Sequence, residues 1–404
     1  MDQISKVIVL TQVRSLKLLI ALSLGILICI TWPLWFGVSE FPRIPWFHAL
    51  CSIPIWVDTI AIGIVWIGLL GLVFESADRK WPEAVFLMGL GSLLLLDQHR
   101  LQPWAWQMWL SVLSLFVLRR DVGLSMCRWV VISIYLFSAL SKFDAEFLHS
   151  HGQLLLNGLC DAIGIESQFW TAQTKSRIAA VFPVGEAFTA LLLMRPKWWR
   201  NGLMASIVMH GCLLLTLGPR GLNHEPGVLI WNVYFILQNF ILFGPKTSLE
   251  ASPRAAWYPS IPIAIVLAFP VLNVMNHYDH WPSWAVYCSR PAQVKTSIHE
   301  SEIEKLPTSL QPFMTPQPLS EWQTVSLDGW SFAERHVPLY PQERYRLAVI
   351  MQVCIESHVR EEALHVDVRS TPNRSTGQRS SHSYYGMLKV SDRLAEFYVN
   401  TQAR

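Results

Sequence analysis

The sequence predicts an all-α polytopic membrane bundle of about nine transmembrane helices, followed by a small β-rich C-terminal extracytoplasmic domain. Three observations carry this prediction. Of 404 residues, 52% are hydrophobic and only 15% charged, far from a soluble average. Apolar runs recur through the first two thirds of the chain at lengths near the roughly 20 residues that a spanning helix needs. After His280 the runs shorten, charges multiply and prolines gather at Pro307, Pro312, Pro316 and Pro318. The expected division is a cytoplasmic tail at 1–17, a transmembrane domain at 18–280 and a soluble extracytoplasmic domain at 281–404.

The first apolar segment, 18–38, follows Lys6, Arg14 and Lys17 as a signal peptide would. It is too long for one and has no small-residue cleavage site, so it reads as a retained helix. Further spans are expected at 56–74, 82–97, 103–118, 126–143, 178–195, 202–217, 227–244 and 257–276. The third, fourth and seventh are short, and a count of seven or eight also fits. Alternate loops differ in charge: one set carries Lys6, Arg14, Lys17, Arg79, Lys80, Arg119, Arg120, Arg128, Arg195, Lys197, Arg200, Lys246 and Arg254. The other set carries only Arg43, Arg100, Lys175, Arg177 and Arg220. Basic loops face the cytoplasm, which predicts a multi-pass cell-membrane protein with its N-terminus inside and everything after about Asn276 outside. Trp32, Trp35, Trp46, Trp56, Trp81, Trp104, Trp198 and Trp199 fall near span ends, where an aromatic belt fixes depth in the bilayer.

In the long loop from Asp144 to Arg177, Leu154, Leu155, Leu156, Leu159 and Ile163 recur at helical spacing, with Gln153, Asn157, Asp161 and Glu166 on the other side. The pattern predicts an interfacial helix on the outer leaflet. In the C-terminal part, Arg346–Glu356 and Ala363–Arg369 read as strands and Asn373–Arg379 as a turn-rich loop. The seven cysteines include no C-x-x-C and no Cys/His pair at zinc spacing, so neither a thiol-redox centre nor a metal site is expected. Cys51, Cys160, Cys288 and Cys354 all fall on the outer side, where one or two disulfides can form. The net charge of +3 is small and scattered, which argues against nucleic acid and leaves the lipid bilayer as the expected partner.

Ionisable residues inside a bilayer are costly and mark function by default. His210, midway along Leu203–Leu217, is the clearest; its alternative role is a hydrogen bond to a neighbouring helix. Glu186 follows Pro183 and Gly185 two turns into the sixth span, and is either part of a site or the structural partner of Lys142. Lys142 ends the fifth span: it snorkels to headgroups, or it faces the bundle and serves as a base. Three outer turns add both signs of charge and imidazole: Asp97, His99 and Arg100; Asp144, Glu146, His149 and His151; and Arg220, Asn223, His224 and Glu225. Asn232, inside the next span, needs a polar partner and points to the same level. Gln238 and Asn239, nearer the opposite end, read as helix packing. The expected catalytic set is Lys142, His210 and Glu186. The expected binding set is Asp97, Arg100, Asp144, Glu146, Arg220, Asn223, His224, Glu225 and Asn232.

Tyr135, Ser138-Ala139-Leu140-Ser141-Lys142-Phe143, then Pro183, Gly185, Glu186 and Ala190–Leu193 together resemble the DoxX/MauE-like membrane proteins of bacteria. The resemblance covers about residues 125–245. It implies an inner-membrane location and, for the MauE branch, a role in maturing a disulfide-rich enzyme subunit. A broader resemblance is to the HTTM domain shared with vitamin K-dependent γ-glutamyl carboxylase. It rests on Asp97-Gln98-His99-Arg100-Leu101-Gln102-Pro103-Trp104, on Lys142-Phe143-Asp144-Ala145-Glu146-Phe147 and on the span around His210. Lys142 and Asp144 match that family's motif directly; Glu146 and Phe147 are conservative replacements. The resemblance implies a quinone-like ligand and Lys142 as the base that deprotonates it. The leading expectation is thus an outward-opening pocket for a quinone-like or other lipid-soluble molecule. The alternatives are a non-enzymatic scaffold or maturation factor whose 281–404 domain binds an extracytoplasmic protein and, third, a transporter.

Overall fold

The computed structural model describes residues 3–37, 40–75, 79–244 and 261–404. Residue 38, residues 257–260, Lys246 and Arg254, all part of the expectations above, lie outside the described residues. The chain is mostly helical, with an antiparallel sheet near its C-terminus. Among the described residues, six apolar helical stretches are long enough to cross a membrane: Lys6–Ile30, Trp56–Phe74, Arg120–Lys142, Ala172–Leu193, Pro196–Leu217 and Pro226–Phe243.

Helices α1 (Gln3–Ile30), α2 (Trp32–Trp35), α3 (Trp56–Phe74), α4 (Trp81–Leu96), α5 (Pro103–Val117) and α6 (Arg120–Lys142) form the first half of the bundle. α1 starts well before the expected residue 18. Lys17 is therefore not in a tail; it lies buried within the helix, 2.8 Å from Glu83 of α4. The partner explains the shift, because a paired lysine can continue an apolar helix that an unpaired one would end. α3 and α4 approach unusually closely. A Cβ on Gly68 would lie 2.6 Å from the Phe86 backbone, and one on Gly89 2.8 Å from Val65 N. Small residues permit such backbone contact between apolar helices.

The second half comprises α7 (Ala145–His149), α8 (His151–Ile163), α9 (Ala172–Ala179), α10 (Val181–Leu193), α11 (Trp199–Leu217) and α12 (Pro226–Phe243). The expected interfacial helix is α8, but its leucines divide. Leu155 and Leu156 are buried, while Leu154 and Ile163 are exposed. Leu155 packs in a cluster with Phe147 and Leu217, so α8 is held against the bundle end. Short helices α13 (Ile261–Ala268) and α14 (Val271–Val274) lead into the C-terminal part.

That part is a five-stranded antiparallel sheet in the order β2–β3–β1–β4–β5, with β1 at Gln293–His299, β2 at Met314–Pro316, β3 at Trp322–Val325, β4 at Leu364–Arg369 and β5 at Ser381–Tyr385. Three helices accompany it: α15 (Leu327–Arg335), α16 (Glu343–Glu356) and α17 (Met387–Ala395). The β4 expectation holds, with Leu364, Val366 and Val368 buried in alternation. The strand expected at Arg346–Glu356 is instead helix α16. Its apolar run, Leu347 to Ile350 followed by Val353 and Cys354, is buried. A short apolar run does not itself distinguish a buried helix from a buried strand. No disulfide forms: all seven cysteines are free thiols.

The loops sort to two ends. Arg120 bonds Glu83 and the Arg79 carbonyl, and Lys80 bonds the Phe116 carbonyl, gathering the basic loops at one end. The C-terminal part sits at the other. There Arg335 meets Asp97, Arg290 meets Asp144, Arg379 meets Glu146 and Arg404 meets Asp58. One continuous apolar core runs from the bundle into the sheet.

Candidate functional site

Tyr135, Ser138 and Lys142 follow one another at intervals of three and four residues, which places them on one face of α6. The helix ends at Lys142, and the C-terminal part holds that end. Arg374, in the β4–β5 loop, donates to the Leu140 carbonyl at 2.9 Å, and Ala145 N donates to the Arg374 carbonyl at 2.8 Å. A cation bonded to the last carbonyls satisfies groups that the helix leaves open. Asp144 then caps α7 by accepting from Glu146 N.

Lys142 is buried and faces the bundle. Its Nζ lies 2.8 and 3.0 Å from the two carboxylate oxygens of Glu186 on α10, and it also donates to Ser138 Oγ. Ser138 Oγ reaches Glu186 Oε1 at 3.2 Å. The ion pair therefore joins α6 to α10 rather than to Asp144 or Glu146 nearby in sequence. Its charges balance.

One turn deeper, a hydrogen-bonded group fills the space between α6, α11 and α12. Asn232 Nδ2 donates to the Val228 carbonyl at 2.8 Å, so its oxygen faces His210 Nδ1 at 2.7 Å and that nitrogen carries the proton. His210 Nε2 then accepts from the Tyr135 hydroxyl at 2.8 Å. The tyrosine oxygen receives Asn239 Nδ2 at 2.7 Å and lies 3.0 Å from Ser206 Oγ. Both imidazole nitrogens are thus occupied within the protein. Phe235 stacks on the ring at a centroid distance of 4.6 Å.

Between the ion pair and this network lies a cavity of about 70 Å³, room for a few waters. Aliphatic and aromatic side chains make most of its wall; Tyr135, Ser138, Lys142, Glu186, His210 and Asn232 supply the polar part. Trp284, Val286 and Tyr287 close it toward the C-terminal part. A second, larger cleft of about 760 Å³ lies beyond, between the helix ends and the sheet region. Val228, Trp231, Val286 and Tyr287 border both spaces and so act as their partition. Trp284 and Tyr287 hold φ of +62° and +54°, a conformation that costs bulky residues energy and that tight packing must enforce.

Of the expected catalytic residues, the structure brings Lys142, Glu186 and His210 to one cavity, and Asn232 joins them from the binding set. The other binding residues go elsewhere. Asp97 is 2.6 Å from Arg335, Arg100 is 2.6 Å from Asp58, Asp144 is 3.1 Å from Arg290 and Glu146 is 2.8 Å from Arg379. Asp97–Arg335, Asp144–Arg290 and Glu146–Arg379 fasten the C-terminal part to the bundle, whereas Arg100–Asp58 ties the α4–α5 turn to α3 within the bundle. Asn223, His224 and Glu225 border the larger cleft, not the Lys142 cavity, and Arg220 is exposed on the surface. Gln238 packs as expected, with Gln107 Nε2 donating to its oxygen at 2.6 Å, whereas Asn239 belongs to the network. Tyr135 was given no role from sequence; its spacing of seven from Lys142 was the available signal.

Comparison of the chain with known protein families, with curated proteins and with solved structures gives no match. The functional reading therefore rests on this geometry.

Proposed function

We propose that the protein takes a lipid-soluble, quinone-like molecule into the cavity beside Lys142, which serves as its base or anchor. One observation carries this reading: a charge-balanced Lys–Glu pair, buried within the bundle, beside an apolar-walled space that no side chain fills. Polar groups at one wall of an apolar cavity are the usual build of a small-molecule site. As an anchor, the ammonium donates to a carbonyl oxygen of the ligand. As a base, Lys142 first passes a proton to Glu186 across the 2.8 Å bond, and the neutral amine then accepts the proton of a ligand hydroxyl. The ligand leaves this step as an anion held by the ammonium. Tyr135 and His210 hold the wall in shape, since their hydrogen-bonding groups are satisfied within the protein.

The topology that fits this reading has nine spans, with the basic loops and the N-terminus in the cytoplasm. The cavity then opens toward the outer leaflet, beneath an extracytoplasmic C-terminal domain. Quenching of the tryptophan fluorescence by ubiquinone or menaquinone tests the proposal, because Trp231 and Trp284 border the cavity. Lys142→Ala and Glu186→Gln are expected to weaken binding at least about tenfold, the loss of one charged hydrogen bond. Unchanged affinity in both folded variants would remove the pocket from the function.

A second reading, a scaffold or maturation factor that binds an extracytoplasmic protein, draws on Tyr385 and Leu388, which stand exposed beside strand β5. Retention of partner binding after Tyr385→Ser and Leu388→Ser would count against it.

A further inference from the structure

A second set of buried charges lies at the same end of the bundle, and it does not balance. Asp58, in the first turn of α3, receives Arg100 at 2.6 Å, Arg43 at 3.4 Å and Arg404. Asp97, just beyond α4, receives Arg335 at 2.6 Å. Four arginines thus face two aspartates, all with side chains at most 5% exposed. Arginine does not shed its proton in proteins, so among the described residues the cluster holds an excess of two positive charges. Burying charge without a counter-charge costs several kcal/mol per ion.

The hydrogen bonds show the same deficit of acceptors. Among the described residues, Arg100 Nη1, Arg335 Nε, Arg404 Nε and Nη1 and the Tyr345 hydroxyl are buried with no partner. Tyr345 reaches this group through His99, whose ring lies 5.5 Å from its own. Burial and the neighbouring Arg335 and Arg100 pull the Arg43 guanidinium down to about 10, and His99 is held neutral by burial and by Arg335. The imidazole therefore adds no further cation. Neighbouring arginines keep Asp97 ionised despite its burial.

We infer that this cluster binds a small monovalent anion of chloride or formate size. Such an ion supplies one of the two missing negative charges together with the missing acceptor. It would be seated where the first turn of α3, the α4–α5 turn, α15 and the C-terminal segment meet, and so would cement the C-terminal part to the bundle.

The test uses full-length protein in detergent, exchanged into sodium gluconate and titrated with sodium chloride or sodium formate at constant ionic strength. Unfolding is followed by tryptophan fluorescence. The expected result is a rise in Tm that grows with the logarithm of anion concentration and reaches about 3 °C at a hundredfold excess over Kd. Equilibrium dialysis with radiolabelled chloride or formate should give one ion per chain. The anion that acts at lower concentration identifies the native class, halide or carboxylate. Arg43→Gln removes one of the two excess cations, and the anion-dependent rise should shrink in it. A flat titration of the wild-type protein with both anions overturns the proposal, and so does an equal rise in Arg43→Gln. The wild-type titration decides even where the variant does not fold.

Discussion

Two groups of buried charge occupy the same end of this bundle and differ in balance and in space. Lys142 and Glu186 are one cation and one anion, bordered by a cavity. The Asp58–Asp97 group has four arginines for two carboxylates and ties together the α2–α3 connection, the α4–α5 turn, α15 and the last residue. The first has room beside it for a ligand and few connections to lose. The second has connections from every direction and no balance of its own. Buried charge alone therefore does not set the two groups apart; spare space beside it does. The sequence places Arg100 and Asp97 with Lys142 in one outer rim, and only the partners separate them.

The sharpest way to break this contrast is Asp58→Ala. It leaves Arg43, Arg100 and Arg404 without their carboxylate, and removing one partner of a buried ion pair costs about 3–5 kcal/mol. Loss of monodisperse protein in size-exclusion chromatography is expected. A stable, folded Asp58→Ala protein would show that the cluster does not hold the C-terminal part in place.

Acid should act next, on the cluster through His99 and outside it through His280. Burial, followed by Arg335, lowers His99 to about 4, and burial lowers His280 likewise to about 4. In the unfolded chain both take up protons below about 6.5, while the folded protein keeps them neutral down to about 4. Stability is therefore full above pH 6.5 and falls toward pH 4, by about 1.4 kcal/mol per pH unit for each histidine. Denaturant unfolding between pH 7 and pH 4 measures the slope, and His280→Gln should lessen it. An unchanged slope in that variant would exclude His280 as a contributor.

At the Lys142 site the contrast predicts recoverable damage. Lys142→Met alone should destabilise by about 2 kcal/mol, because the half-buried Glu186 loses its cation and keeps only the Ser138 hydroxyl, whereas Lys142→Met with Glu186→Met should regain most of the loss. The double variant should fold and fail to bind quinone. If it unfolds like Asp58→Ala, the pair is a structural lock as well. Tyr135→Phe comes last, at about 1–2 kcal/mol, the cost of leaving His210 Nε2 without a donor. Thermal unfolding of the purified variant checks it, and quinone affinity should change little.

The sequence by itself determined the helical bundle, the two classes of loop and the start of the sheet region. Hydrophobic run length and loop charge are local properties, and α3 falls on the expected 56–74 because nothing distant had to be known. It also named Lys142, Glu186, His210 and Asn232, since polar residues within apolar runs stand out one at a time. Tertiary structure alone decided what each of them faces. Lys17 continues α1 only because Glu83 waits on α4, and α16 is a helix because its apolar run is covered by other elements. Asp97, Arg100, Asp144 and Glu146 became fastenings only because Arg335, Asp58, Arg290 and Arg379 meet them across separations of 42 to 238 residues. Charge pairing over such separations leaves no local pattern. A lone charge in an apolar run can be seen in a sequence, but its partner is fixed only when the chain packs.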